Sequence, residues 1–279
     1  MKKEIKKIGI LGVGLMGGSL SLALRQKFPE ASVWGYARSQ KSFNKLKKIK
    51  VLNRVERDLK NVVEGADLVV LALPIEVISD YFKKVVPFLK KGAIVFDLGS
   101  SKGVIEKNIT KHLPKGVRFV GCHPLCGSEK SGAEFSKGDL YKKEVCLITS
   151  SPKSKATKEV KKIWEELGSE VVFISSKRHD KILSYLSHLP HLISFSLTDG
   201  FPKDHPKFIL QSFKDLTRIS LSSASIWSEI LLSNKRNVLS DLNRFIKALK
   251  KFENLIKKND KDRIIDLIKK INIKQKHLL

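Results

Sequence analysis

Near its start the chain reads Ile8-Gly9-Ile10-Leu11-Gly12-Val13-Gly14-Leu15-Met16-Gly17-Gly18-Ser19. This G-x-G-x-x-G pattern follows an apolar run typical of a strand and opens a helical pattern, which is the context that a dinucleotide-binding turn requires. The first glycine makes the tight turn, the second lets the backbone approach a pyrophosphate, and the third lets helix and strand pack closely. The stretch therefore predicts cofactor contacts at Gly12, Val13, Gly14, Leu15, Met16 and Gly17.

The alternation of strand and helix patterns continues to about residue 175. Short apolar runs predict buried parallel strands, namely Ile8–Leu11, Ser32–Tyr36, Leu68–Leu73, Ala93–Leu98, Arg118–Gly121, Val145–Thr149 and Val171–Ile174. Helical patterns lie between several of them, as at Met16–Lys27, Ile75–Leu89 and Ser154–Leu167. This order predicts an α/β fold, a Rossmann-type doubly wound sheet with helices on both faces.

The pattern changes after about Lys177, where apolar residues recur at three- and four-residue spacing. Helices are predicted within Lys181–Leu197, Asn237–Leu255 and Asp260–Ile271, and no strand pattern remains. We therefore divide the chain into a dinucleotide-binding domain, residues 1–176, and an all-helical domain, residues 177–279.

The end of the second predicted strand bears on the choice of cofactor. NAD-binding folds usually carry Asp or Glu there for the ribose 2′-hydroxyl, whereas this chain has Ala37, Arg38 and Ser39. Because Arg and Ser can hold a 2′-phosphate, NADP is favoured. Arg38 stacking on adenine is the alternative, and NAD then remains usable. Leu73 and Pro74, at the end of another predicted strand, are expected beside the nicotinamide ribose.

The formal net charge is +26, from 54 basic and 28 acidic residues. The basic residues are scattered over polar faces and form no aromatic-interleaved groove, so we expect solvated surface that favours anionic ligands and no nucleic-acid partner. The apolar run Ile8–Leu24 follows lysines but contains five glycines, so no membrane segment is expected there.

Cysteine usage is sparse, with Cys122, Cys126 and Cys146. Three cysteines make no disulfide framework, which favours a reducing cytoplasm. No nearby Cys or His pair completes four ligands with Cys122 and Cys126, so no metal site is predicted.

The most specific stretch is Gly121-Cys-His123-Pro124-Leu-Cys126-Gly127-Ser128-Glu129-Lys130-Ser131-Gly132. It is predicted to bring one histidine to the carboxyl edge of the sheet, where nicotinamide and substrate meet. An imidazole there can take a proton from a substrate hydroxyl at neutral pH. A structural role for His123 is the alternative that the residue alone leaves open.

This stretch resembles the HPxxGxExSG signature of the prephenate/arogenate dehydrogenase family. Three further matches follow in the family's order: Asp97–Lys102 resembles D-x-G-S-x-K, Ser187–His191 resembles S-H-L-P-H, and Phe213–Ser220 with Trp227 resembles F-x-D-x-T-R-I-A and its downstream Trp. The chain departs from the family at Ile209–Ser212, which is glycine-rich in many members, and at Cys126, which replaces a small residue.

The resemblance implies oxidative decarboxylation of prephenate or arogenate, with hydride transfer to NAD(P), in tyrosine biosynthesis. It implies catalytic roles for His123, which would deprotonate the 4-hydroxyl, and for Ser100. It implies that Arg218 would bind the ring carboxylate. The other residues that it implies for the substrate site are His188, Ser128, Glu129, Asp215, Trp227 and His191. Of these, His191 would either contact the substrate or have a packing role. It also implies a homodimer formed through the helical domain.

Two other functions are compatible with the fold. A β-hydroxyacid or imine reductase would share the glycine turn and the helical half, and a non-catalytic NADP sensor would keep the cofactor site. Neither needs the His123–Gly132 signature together with Arg218. The sequence does not decide whether the substrate is prephenate or arogenate, or whether tyrosine inhibits the protein.

Overall fold

The N-terminal half contains a sheet of six parallel strands. The structure is a computed structural model, and it describes residues 5–127, 130–202 and 208–277. In chain order the strands are β1 (Lys7–Leu11), β2 (Ser32–Tyr36), β3 (Arg54–Glu56), β4 (Leu68–Leu71), β5 (Ile94–Asp97) and β6 (Arg118–Val120). Their order in the sheet is β3-β2-β1-β4-β5-β6. The direction of winding reverses between β1 and β4, and ligands of such sheets bind at that point.

Alternate residues of each central strand enter different cores, because successive side chains of a strand point to opposite faces. Leu68 and Val70 belong to one core, whereas Val69 and Leu71 belong to the other. The intervening helices are α1 (Leu15–Lys27), α2 (Gln40–Ile49), α3 (Leu59–Val63), α4 (Ile75–Val85) and α5 (Gly103–Thr110). Helix α1 covers one face, and α3, α4 and α5 cover the other, which confirms the predicted doubly wound architecture.

A second, smaller sheet follows β6. It contains β7 (Cys122–Pro124), β8 (Val145–Ile148) and β9 (Glu170–Phe173), with α6 (Lys155–Glu166) between the last two. β7 and β8 are antiparallel, and β8 and β9 are parallel. The last two strands predicted from the sequence therefore lie outside the six-stranded sheet. β3 and β7 escaped prediction because three residues are too few to show a strand period.

The C-terminal part is helical over the residues that the structure describes. Its helices are α7 (Ser176–Leu183), α8 (Leu189–Asp199), α9 (Gln211–Thr217), α10 (Ala224–Ser233), α11 (Lys235–Lys257) and α12 (Lys261–Lys276). A π-helical turn, Ser184–His188, joins α7 to α8 without interruption. Pro190, near the start of α8, has no N–H to offer the carbonyl four residues earlier, which favours a wider turn at this place.

Helices α11 and α12 carry large apolar side chains that are exposed in the isolated chain. They include Leu239, Ile246, Leu249 and Ile256 on α11 and Ile265, Ile268 and Ile271 on α12. Within the described ranges, no helix combines the length and the apolar content needed to span a bilayer.

Trp164 of α6 packs between the six-stranded sheet and the segment that precedes β8. Its buried ring lies edge-on to Phe96 of β5, with centroids 6.0 Å apart, and to Tyr141, with centroids 5.2 Å apart. The indole Nε1 has no hydrogen-bond partner among the residues described. The ring therefore contributes through apolar burial and aromatic contacts.

We expect Trp164→Ala to lower the free energy of unfolding by about 3–5 kcal/mol, because it removes a large buried aromatic ring. Trp164→Phe should cost clearly less, since it keeps much of the packing and removes the unpaired donor. Denaturant unfolding followed by far-ultraviolet circular dichroism measures both values. Equal losses in the two variants would contradict this account of Trp164.

Candidate active site

The glycine turn between β1 and α1 has the shape that a dinucleotide needs. Gly12 has φ +95°, and a Cβ added there would lie 2.2 Å from the carbonyl oxygen of Ala72. A Cβ at Gly17 would lie 2.1 Å from the carbonyl oxygen of Gly12, whereas one at Gly14 would meet nothing within 4 Å. Gly12 and Gly17 thus permit close packing, and Gly14 leaves open space at the N-terminus of α1, where phosphate binds well.

The other predicted cofactor residues surround this turn. Val13 and Met16 pack against the core beside α1, and the carbonyl oxygen of Met16 accepts a hydrogen bond from Tyr141 at 2.7 Å. Leu15 is the first residue of α1. Leu73 packs against the opposite core, and Pro74 directly precedes α4. The predicted residues therefore meet at the switch point between β1 and β4, and they fit a dinucleotide.

Two arginines, one after β2 and one after β3, give positive charge to the turn that follows β2. Arg38 is exposed, and Ser39 caps α2: its hydroxyl accepts a hydrogen bond from the N–H of Ser42 at 3.1 Å. Arg57, which follows β3, donates to the Gln40 side chain at 2.9 Å. Burial and Tyr81 raise the pKa of Tyr36, and the charges of Arg38 and Arg57 oppose this rise. Arg57 has no recognisable signal in the sequence, because only the β2–β3 pairing brings it to the turn that carries Arg38.

A cavity of about 1050 Å³ lies between the small sheet and the helices of the C-terminal part. Its volume is at the upper end of the range for small-molecule sites. Most of the sequence-predicted substrate residues meet here, since the cavity is lined by Ser100, His123, His188, His191, Arg218 and Trp227. Asp215 is absent from the lining and instead accepts a hydrogen bond from Gln211 at 2.8 Å. Ser128 and Glu129 lie outside the described residues.

His123 occupies the centre of β7, opposite Leu147 of β8, rather than the end of a strand of the large sheet. Its Nδ1 lies 2.8 Å from Nε2 of His179, and Nδ1 of His179 lies 2.8 Å from Oδ1 of Asp180. Burial lowers the pKa of His123 well below 6.5, and nearby positive charge, including that of Lys102, lowers it further. His123 is therefore a neutral imidazole at pH 7.

Asp180 is held by the start of α5. The backbone N–H groups of Lys102 and Gly103 donate to its two carboxylate oxygens at 2.8 Å and 2.9 Å. Burial alone would raise the pKa of Asp180, but the hydrogen bonds from His179 and from these two N–H groups lower it below its ordinary value. Asp180 is therefore a carboxylate. Neither His179 nor Asp180 was predicted, because a His-Asp pair amid basic residues gives no sequence sign of burial.

A buried ion pair supports the strand that carries His123. The Lys102 ammonium contacts the Asp97 carboxylate and donates to the carbonyl oxygen of Cys122 at 2.6 Å. Both charged side chains are fully buried. Asp97 also accepts from the N–H of Gly99 at 2.9 Å. Such pairs withstand burial only when further hydrogen bonds satisfy them, so this set fixes the β5 loop against β7.

The two histidines of the S-H-L-P-H match have different surroundings. His188 is buried, and its Nδ1 lies 3.3 Å from the Asn234 amide nitrogen. Burial lowers its pKa to about 4, although Asp180 opposes the shift. The His191 ring stacks on Trp227 with centroids 3.5 Å apart. Burial and the charge of Arg218 lower the pKa of His191. A hydrogen bond to the Ser187 carbonyl opposes this shift.

The site therefore combines neutral imidazoles with two exposed guanidinium groups, those of Arg178 and Arg218. A neutral imidazole can take a hydroxyl proton, and Arg218, exposed at the cavity, has the planar fork that suits carboxylates. This arrangement can bind an anionic substrate that carries a hydroxyl group.

The fold and the cavity together define the class of protein: an oxidoreductase that binds a nicotinamide dinucleotide on a Rossmann-type sheet. The family model of the prephenate dehydrogenase nucleotide-binding domain matches residues 20–173, and that of the prephenate dehydrogenase dimerization domain matches residues 175–270. The chain belongs to the prephenate dehydrogenase family. The resemblance found in the sequence is confirmed.

Two relatives and one solved structure are similar to this chain over most of its length. A cyclohexadienyl dehydrogenase of Zymomonas mobilis is 30% identical over 95% of this chain and 93% of its own length. A prephenate dehydrogenase of Lactococcus lactis is 31% identical over 93% of this chain and 74% of its own length. The solved structure of A. aeolicus prephenate dehydrogenase, in complex with hydroxyphenyl propionate and NAD+, has a TM-score of 0.90, at 31% identity and full coverage of both chains.

The low pKa of His188 predicts a pH dependence of stability. Its pKa is about 4 in the folded chain and 6.5 as an ordinary value, so the unfolded state binds more protons between these pH values. Stability should therefore fall as the pH falls through this window. His188→Gln keeps an acceptor for Asn234 but does not titrate. Between pH 7 and pH 5 the wild type should lose roughly 2 kcal/mol more than this variant.

Urea unfolding at the two pH values measures this difference. The control is His112→Gln, which changes an exposed histidine and should retain the wild-type pH dependence. Parallel losses in the wild type and His188→Gln would show that His188 does not carry the effect.

Proposed function

We propose that this chain oxidatively decarboxylates prephenate to 4-hydroxyphenylpyruvate, or arogenate to tyrosine, in tyrosine biosynthesis. The observation that carries the proposal is the single cavity that brings His123, Ser100, His188 and Arg218 together in a member of the prephenate dehydrogenase family. The net charge of +26 also favours a substrate with carboxylates. We divide the chain near residue 176 into a cofactor-binding and a substrate-binding domain.

We assign the residue roles as follows. His123 accepts the proton of the substrate 4-hydroxyl, and Ser100 hydrogen-bonds that hydroxyl or orients His123. Arg218 pairs with the ring carboxylate, and His188 contacts the substrate side of the cavity. His191 and Trp227 form a wall through their stacked rings. For Asp215 we retain only a supporting role, through its hydrogen bond with Gln211.

The reaction needs little more from these side chains than orientation and a temporary proton acceptor. A bound nicotinamide would supply the acceptor for the hydride of the ring carbon that carries the hydroxyl. Loss of carbon dioxide then leaves the C–C bond electrons in an aromatic ring. The proton taken by His123 is the one that the resulting phenolate requires, so no net proton is consumed or released. Orientation of such reactants is itself a large contribution to rate.

We propose NADP as the preferred cofactor, with NAD as an alternative. Ala37 stands where a carboxylate would bind the 2′-hydroxyl of NAD, and Arg38, Ser39 and Arg57 surround that place. Charge-assisted hydrogen bonds from guanidinium groups are strong phosphate contacts.

We also propose a homodimer. The exposed apolar side chains of α11 and α12 would be buried by a second copy, and the matching family model is described as a dimerization domain. Helices with an apolar stripe gain stability by packing against a partner. The three cysteines are free thiols, which supports our assignment to the reducing cytoplasm.

The function is tested by initial rates of reduced-cofactor formation, with prephenate and arogenate each combined with NAD and NADP. Activity with at least one acid is expected, with NADP giving the higher kcat/KM. Inactivity in all four combinations, with cofactor binding verified by titration, would exclude the proposed reaction.

Two variants separate binding from chemistry in the same assay. His123→Asn removes the proton acceptor and should lower kcat by about 100-fold or more, while cofactor binding stays intact. Arg218→Ala removes a charged contact and should chiefly raise KM for the acid, by about tenfold or more. An unchanged kcat in the first variant or an unchanged KM in the second would remove that residue from its role.

The cofactor proposal has its own pair of variants. Arg38→Ala and Arg57→Ala should each raise KM for NADP by about 10-fold or more, because each removes a charge-assisted phosphate contact, and leave KM for NAD nearly unchanged. Arg54→Ala, on β3 but directed at Trp34, is the matched control. Equal increases for both cofactors in Arg38→Ala would instead indicate stacking on adenine.

A further inference from the structure

Three side chains form an unbroken hydrogen-bonded row from the cavity into the protein. His123 lines the cavity, His179 behind it is fully buried, and Asp180 is 8% exposed. The Nδ1–Nε2 and Nδ1–Oδ1 separations along the row are both 2.8 Å. The two imidazole planes are tilted by 59° with centroids 5.0 Å apart, so they meet as hydrogen-bond partners and not as stacked rings.

The Asp180 carboxylate at the end of the row determines which ring nitrogens of His179 and His123 carry a proton. Asp180 is ionised and can only accept, so Nδ1 of His179 carries a proton. With this one proton on the His179 ring, its Nε2 is a lone pair, and Nδ1 of His123 donates to it. A neutral imidazole has one N–H, so Nε2 of His123 is the basic nitrogen. The row thus specifies one tautomer of His123, the tautomer able to accept a hydroxyl proton.

We propose that His179 and Asp180 are positioning residues that hold His123 in its Nδ1-protonated tautomer and stabilise the imidazolium formed when it takes the substrate proton. This inference deepens the proposed function and rests on it for the identity of the proton donor. In the step, the substrate O–H bond breaks and an N–H bond forms at Nε2 of His123. The positive charge is shared through His179 and faces the negative charge of Asp180. The proton later returns to the phenolate oxygen.

The other charged and titratable groups around His123 make such a partner necessary. Lys102 lies on the α5 side with Asp97, and His188 lies on the π-helical turn. Burial, together with His179, Lys102 and His188, lowers the pKa of His123 and so opposes proton uptake. Asp180, reached through His179, provides the compensating negative charge on the other side of the ring.

A purely structural role for His179 is the competing explanation. Asp180 already joins α7 to α5 through the N–H groups of Lys102 and Gly103, and its carbonyl accepts from Asn234 at 2.7 Å. These contacts hold the helices together without the His179 ring. The Nε2 atom of His179, by contrast, is directed at the catalytic histidine.

Two substitutions at one position distinguish the roles. His179→Phe keeps an aromatic ring but removes both hydrogen bonds, whereas the Gln of His179→Gln can accept from His123 through its oxygen and donate to Asp180 through its nitrogen. We expect His179→Phe to lower kcat by about 100- to 1000-fold, with KM for the acid within about threefold of wild type. His179→Gln should recover most of that loss, to within about tenfold of wild type.

A kcat for His179→Phe within threefold of wild type would overturn the relay. Equal losses in the two variants would overturn it as well, since a structural role depends on volume and not on hydrogen-bond polarity. Thermal unfolding of both variants identifies any loss that comes from misfolding.

Nitrogen NMR of protein labelled with 15N-histidine gives a readout that needs no substrate. Wild-type His123, assigned by its absence from His123→Asn, should be protonated at Nδ1 and unprotonated at Nε2 at pH 7. Protonation at Nε2 in the wild type would overturn the proposal, even if His179→Phe fails to fold. A wild type that has the expected tautomer but oxidises neither acid would refute the proposed function and leave the proton order of the row intact.

Discussion

The hydrogen bonds between the Asp180 carboxylate and the start of α5 are the contact on which the site depends. A buried carboxylate is stable only where donors surround it, and here two come from the backbone of Lys102 and Gly103 and one from His179. The backbone carbonyl of Asp180 also accepts a hydrogen bond from the Asn234 side chain. Through its carboxylate and its backbone carbonyl, Asp180 therefore connects the start of α5, helix α7 and the junction of α10 and α11.

The charged groups of the cavity and its neutral basic groups are different side chains. Its histidines are kept neutral by burial, whereas its guanidinium groups, those of Arg178 and Arg218, remain exposed. Opposite charges that must be buried, Lys102 and Asp97, compensate each other directly. The positive charge of the cavity and its neutral imidazoles thus belong to different side chains, and neither requires an unpaired buried charge.

The parts of this protein that the sequence predicted are those controlled by local geometry. Gly12 and Gly17 were identifiable because only glycine fits their contacts, and the buried strands because both faces are apolar. His179, Asp180 and Arg57 were not identifiable, since their surroundings arise from helix docking and strand pairing between distant segments. Likewise, β7 is a strand only because β8 lies beside it, so the sequence predicted His123 at the edge of the large sheet, whereas it lies in the small one.

The π-helical turn Ser184–His188 has a consequence for how this site can change during evolution. A π turn amounts to one residue inserted into an α-helix, and each residue of an α-helix advances the facing direction by about 100°. Deletion of one residue from the turn would restore a regular helix and rotate His191 away from Trp227, where it now stacks. The helix would gain regularity while the cavity lost a wall, so the length of this turn is coupled to the shape of the cavity.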